Sequence, residues 1–199
     1  MKLPDIAPHY LELRIPESEM DLHFDRIAHE IGVDYDSLNM SWITLYEGAT
    51  YFRDQLLSKL MTLDQRPTSI THDSMAVESY GSETKSNHNP KITRFPSNPV
   101  ETIYKKDVLV IEDMADTGFC LAKCVLPYVL TYEPESLWVA VMLTNNDRCE
   151  VPRGDLRIKY RGPNVNFYVA GDGLDAAKRY RKKVGIYEVV WEKSLLRSA

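Results

Sequence analysis

Three carboxylates and a Thr-Gly pair stand together at Glu112, Asp113, Asp116, Thr117 and Gly118, directly after the apolar run Val108-Leu109-Val110-Ile111. Adjacent carboxylates accept hydrogen bonds from neighbouring hydroxyls, such as those of a sugar. A Thr-Gly that opens a helix presents backbone N–H groups suited to a phosphate. The apolar run reads as a buried parallel strand, and ligands of open α/β sheets sit just beyond the carboxyl ends of strands. The stretch therefore offers acceptors for sugar hydroxyls beside a phosphate-holding turn. Taken alone, the same acids also suit a bare helix N-terminus, where the helix dipole favours negative charge.

The elements that must carry this stretch follow from periodicity. Residues 1–16 are punctuated by proline and are expected to be irregular. Ser18-Glu19-Met20-Asp21 resembles a capping box that opens a helix through Ile31, with Met20, Phe24, Ile27, Ala28 and Ile31 on one face. Met40–Leu45 reads as a strand, Tyr46-Glu47-Gly48 as a turn, Thr50–Leu60 as a helix and Ser74–Tyr80 as a strand. Lys106–Ile111 is the central strand, and Thr117–Leu130 is a helix. Ser136–Met142 is a strand, Leu156–Tyr160 and Asn166–Ala170 are shorter ones, Asp175–Lys183 is a helix or turn, and Ile186–Trp191 is the last strand. Strands alternating with helices predict an α/β fold with a central, mostly parallel sheet. The segment from Gly81 to Pro99 is polar and long for a connection, which marks it as a functional lid or a disordered insert.

Bulk properties narrow the function classes. A chain of 199 residues, 44% hydrophobic, supports one substantial core. A net charge of -5 argues against nucleic acid as a partner, so the basic run from Lys178 to Lys183 reads as a local patch or solvated face. No apolar run approaches the length of a membrane span. Met1-Lys2-Leu3-Pro4-Asp5 has neither a secretory apolar core nor an Arg-rich transit pattern, and a cytoplasmic location is expected. Cys120, Cys124 and Cys149 form no disulfide framework, and no His or acid stands at metal-ligand spacing from the first two. The five histidines are scattered without a motif.

The full stretch from Val108 to Leu121 is very similar to the phosphoribosyl-pyrophosphate (PRPP) signature of the type I phosphoribosyltransferases, and the nearest branch is that of the hypoxanthine-guanine enzymes. The resemblance spans roughly residues 18–191 and implies the fold of that family, with a small hood over about 150–199, a lid over 81–99 and an N-terminal extension over 1–17. It implies that Glu112 and Asp113 bind the ribose hydroxyls. Asp116, Thr117, Gly118, Phe119 and Cys120 would wrap the 5′-phosphate with their backbone N–H groups, and Asp116 would be the base that acts on the imidazole ring of the purine. Ser79 and Tyr80 match the start of the family's lid. Gly171-Asp172-Gly173-Leu174-Asp175 matches a run in which Asp175 binds magnesium. Tyr168, with Phe167 as a one-residue alternative, matches the aromatic that stacks on the purine, and Arg181 matches a pyrophosphate-binding arginine.

Two loops depart from the family pattern. The pyrophosphate loop, usually Leu-Lys-Gly-Gly, reads Leu45-Tyr46-Glu47-Gly48 here. A carboxylate within ~4 Å of pyrophosphate is repulsive by roughly 4 kcal/mol at an effective dielectric of about 20, unless it points to solvent or holds magnesium. After the strand that ends near Leu143, the family places a lysine on the purine 6-oxo group; this chain has Thr144-Asn145-Asn146, so an uncharged amide of Asn145 is the expected donor. The resemblance implies a purine phosphoribosyltransferase that acts on PRPP and a purine base with magnesium, as a homo-oligomer. The departures equally fit a degenerate member that keeps a nucleotide pocket and serves as a structural or regulatory subunit of a hetero-complex.

Overall fold

Val108, Leu109, Val110 and Ile111 are fully buried, as a central parallel strand requires. The computed structural model describes residues 10–78, 89–176 and 179–190. The main sheet consists of β2 (Asn39–Leu45), β3 (Ser69–Glu78), β4 (Lys91–Arg94), β5 (Asp107–Ala115), β6 (Ser136–Thr144) and β7 (Ile158–Arg161), in the spatial order β4-β3-β2-β5-β6-β7. Every neighbouring pair is parallel except β3 with β4. From β2 the chain winds outward to β3, and from β5 it winds the other way to β6 and β7. The winding reverses between β2 and β5, and the crevice at their carboxyl ends is where such sheets bind ligands.

Helices cover the sheet. In α1 (Glu17–Asp34), Met20, Phe24, Ile27, Ala28 and Ile31 are buried; in α2 (Ala49–Leu60), Phe52, Leu56 and Leu60 are. The Phe24 and Phe52 rings meet at 5.5 Å. The expected capping box does not form. α1 starts after Pro16, whose carbonyl accepts the Glu19 and Met20 N–H groups, and Asp21 instead pairs with Lys59 at 3.2 Å. A short α3 (Pro99–Thr102) precedes β5.

Several boundaries differ from the periodicity reading. β5 does not stop at Ile111 but carries Glu112 and Asp113 within it, because pairing with β6 continues to Ala115. The helix expected from Thr117 is a π-helical stretch, Leu121–Val125, followed by α4 (Leu126–Leu130). Pro127 has no N–H to give an i→i−4 bond, and the widened turn lies just before it. Lys91–Arg94, read as part of a lid, is a strand, and only the 81–88 portion of that segment lies outside the described residues.

Residues 10–15, expected to be irregular, form β1 (Tyr10–Ile15), which pairs with β9 (Ile186–Val190). With β8 (Val169–Ala170) they make a three-stranded antiparallel hood in the order β1-β9-β8. Leu11, Leu13 and Ile15 alternate with Glu12 and Arg14, a strand pattern that the prolines at 4, 8 and 16 flank without breaking. Between β8 and β9, the described residues 171–176 and 179–185 form turns and isolated bridges.

Candidate active site

The crevice at the β2/β5 reversal is a cleft of about 380 Å³. It is lined by loops following three parallel strands and by the hood. From β2 come Tyr46, Glu47 and Gly48; from β5, Glu112, Asp113, Asp116, Thr117, Gly118 and Cys120; from the loop after β6, Arg148; and from the hood, Phe167, Tyr168, Asp175 and Arg181. The structure thus brings together nearly all the residues singled out from sequence.

Glu112 and Asp113 are side by side on β5, and Asp113 Oδ1 accepts the Met114 N–H at 2.8 Å. Burial, then the adjacent Asp113 charge, raises the Glu112 carboxyl well above the usual carboxylate range. Burial raises Asp113 as well, against hydrogen bonds from Glu112 and the Met114 N–H that lower it. Two carboxyls this close do not ionise together easily, so the empty pair favours a shared proton. The Cys120 thiol donates to Glu112 Oε2 at 3.9 Å, so its side chain serves the acidic pair rather than a phosphate.

Gly118 has φ +84°, and a β-carbon there would lie 3.1 Å from Val151 Cβ; the turn therefore needs glycine for both conformation and space. Phe119 does not line the cleft, and its ring lies 4.2 Å below the Lys123 ammonium. Any phosphate role left to Phe119 is through its backbone. Asp116 faces the cleft and pairs with Arg148 Nη1 at 3.0 Å. Asn145, the expected base contact, is buried and does not line the cleft: its Oδ1 accepts the Arg148 N–H at 3.3 Å and ties the loop.

At the opposite end, Arg181 bridges three groups. Nη2 meets Asp175 Oδ1 at 2.6 Å and Glu47 Oε2 at 3.7 Å, and Nη1 donates to the Gly173 carbonyl at 2.8 Å. Glu47 is therefore not a lone negative charge in the loop. Asp172 anchors this turn: it is buried, and its Oδ1 accepts the Gly185 N–H at 2.9 Å. Tyr46 is exposed, with the Arg94 guanidinium 4.2 Å over its ring. A cation from β4 thus stands above the position where the family has lysine. Tyr168 is half exposed along the cleft, while Phe167 packs against the core and lies below Arg14 at 5.9 Å. Ser79 and Tyr80 lie outside the described residues.

Sequence reasoning missed Arg148, Arg94 and the anchoring by Asp172. For Arg148 one signal was available, since the loop after β6 follows a parallel strand next to β5, where site residues gather. Nothing in the sequence marks Arg94, which reaches Tyr46 only through the β3–β4 pairing.

No protein-family model matches the chain. It is 30% identical over 185 residues to the hypoxanthine phosphoribosyltransferase of Salmonella typhimurium, covering 92% of this chain and 97% of that protein. It is 29% identical over 173 residues to the hypoxanthine-guanine phosphoribosyltransferase of Dictyostelium discoideum, covering 86% and 91%. Among solved structures, a hypoxanthine phosphoribosyltransferase from Staphylococcus aureus superposes with a TM-score of 0.77 at 24% identity, covering 94% of each chain. With this fold, this cleft and these relatives, the chain belongs to the purine (hypoxanthine and hypoxanthine-guanine) phosphoribosyltransferase family.

Proposed function

We propose that the cleft transfers the 5-phosphoribosyl group of PRPP to a purine ring nitrogen, giving a nucleotide and pyrophosphate. The observation that carries this reading is the convergence, in one cleft, of the Glu112–Asp113 pair, the 116–120 turn, Tyr168 and Arg181. Glu112 and Asp113 accept the ribose hydroxyls. The turn's backbone N–H groups hold the 5′-phosphate, and Tyr168 supports the purine face. Together these contacts fix the attacking nitrogen in line with the C1–pyrophosphate bond, which is the main source of rate in such a displacement. The nitrogen's lone pair forms the new bond to C1, with inversion through an oxocarbenium-like transition state. The C1–O pair leaves on pyrophosphate, and Asp116 takes the proton released from the imidazole ring.

The donor set at the pyrophosphate end suits magnesium, a hard cation that takes oxygen ligands from one or two carboxylates plus phosphates and waters. Asp175 would hold it, and a magnesium ion there would neutralise charge on the leaving group. Arg181 is a cation of the protein at that end, and pyrophosphate oxygens compete with Asp175 and Glu47 for it. No helix among the described residues is long and apolar enough to cross a membrane.

The test is direct: incubate the protein with PRPP, magnesium and each of hypoxanthine, guanine, xanthine and adenine, and measure nucleotide and pyrophosphate together. Equimolar appearance of both supports the reading. Tight binding of PRPP without product from any base favours a degenerate, non-catalytic member.

A further inference from the structure

Among the described residues that line the cleft, Arg148 alone enters from the loop after β6. Its guanidinium meets Asp116 at 3.0 Å, and its backbone N–H is held by the buried Asn145 side chain. Tyr168 lines the same cleft as Arg148 and Asp116. The Arg148 side chain is half exposed whereas that of Asp116 is nearly covered, so the guanidinium is the more open member of the pair.

Resting on the phosphoribosyltransferase reading, we infer that Arg148 is the specificity-determining residue for the purine and selects a base with a hydrogen-bond acceptor at C6. The Asp116–Arg148 pair presents an acceptor and a donor side by side. A 6-oxopurine with its proton on N7 presents the complementary pair on one edge: the N7–H donates to Asp116 and the C6 oxygen accepts from Arg148. A guanidinium has only donors. A 6-aminopurine turns an N–H donor toward it, leaving two donors face to face. Asn145 is then a positioning residue, since its carbonyl oxygen is already committed to the Arg148 backbone. The same arrangement links selection to chemistry, because the base that satisfies Arg148 delivers its imidazole proton to Asp116.

The experiment is equilibrium titration of the full chain with inosine 5′-monophosphate, adenosine 5′-monophosphate and ribose 5-phosphate, for the wild type, Arg148→Ala and Arg148→Lys. These nucleotides share sugar and phosphate and differ at C6. The wild type should prefer the 6-oxo nucleotide by at least about tenfold, the discrimination expected of a good charged contact to a base edge. Arg148→Ala should bring the two affinities within about threefold while ribose 5-phosphate binds as before. Arg148→Lys should keep part of the preference, which a purely structural role for the side chain would not produce. An undiminished preference in Arg148→Ala, or no preference in the wild type, overturns the assignment alone. Failure of all three compounds to bind the wild type overturns the phosphoribosyl reading and the assignment with it.

Discussion

Gly48 packs so closely on Asp113 that a β-carbon at position 48 would lie 1.5 Å from Asp113 Oδ2. The loop after β2 and the acidic end of β5 therefore form one surface, and glycine is required by contact rather than by backbone angle. Gly48→Ala should displace Asp113 or the loop, at about 1–3 kcal/mol for overpacking. Calorimetric affinity for PRPP should fall more than the melting temperature does. A loss of stability with unchanged affinity would show that Asp113 is not a ligand-binding group.

The acidic pair gives a pH signature. Glu112 and Asp113 are both raised by burial, Glu112 further by the Asp113 charge. A carboxyl raised on folding keeps its proton after the unfolded chain has lost it. Its contribution to stability is complete below the ordinary carboxylate range and is lost as pH rises through the raised value. Glu112→Gln should therefore melt higher than the wild type at neutral pH and equal to it in acid. Glu112→Gln and Asp113→Asn should each weaken PRPP or 5′-nucleotide binding by about 1.5–3 kcal/mol, as expected for a lost charged hydrogen bond. Melting curves across pH and calorimetry measure the two effects, and opposite signs are the expected result.

Much of this site could be read from the sequence because its parts are local. The 112–118 stretch supplies its own strand end, acids and turn, and Asp175 and Arg181 are only six positions apart in the sequence. What could not be read depends on distant contacts. From sequence Glu47 reads as a carboxylate without a cation beside it, because its Arg181 partner is far away in the chain. Asn145 looked like the base contact because spacing alone does not show that its side chain caps Arg148. β1 pairs with β9, which lies at the other end of the chain.

The Glu47–Arg181 pair separates 3.7 Å charges that are both well exposed, and such pairs contribute about 0–1 kcal/mol. Glu47→Gln should leave stability unchanged and lower KM for PRPP by about two- to fivefold at low salt, because Arg181 is released from one competing carboxylate; the ratio should shrink as salt rises. Steady-state kinetics at two ionic strengths checks this. A large loss of activity would instead assign Glu47 to the metal.

Asp172 holds the turn that carries Asp175 and Arg181. Asp172→Ala leaves the Gly185 N–H unsatisfied in a buried place, costing about 1–3 kcal/mol, or about 2–4 °C of melting temperature per kcal/mol in a chain of this size. Asp172→Asn keeps an acceptor and removes a charge that burial disfavours, so it should retain most of the stability and most of the PRPP affinity. Thermal melts of both variants distinguish an anchoring role from a merely filled space.

The central claim is that Asp116 takes a purine proton while pyrophosphate leaves. Pyrophosphate release from PRPP, measured for the wild type and Asp116→Asn, tests it most directly. The wild type should release pyrophosphate only when purine is present. Asp116→Asn should lose about 10²–10⁴-fold in kcat, the usual contribution of a general base, with PRPP affinity within a few-fold of the wild type. A wild type that binds PRPP yet releases nothing with any purine, or an Asp116→Asn variant that turns over normally, would contradict the account.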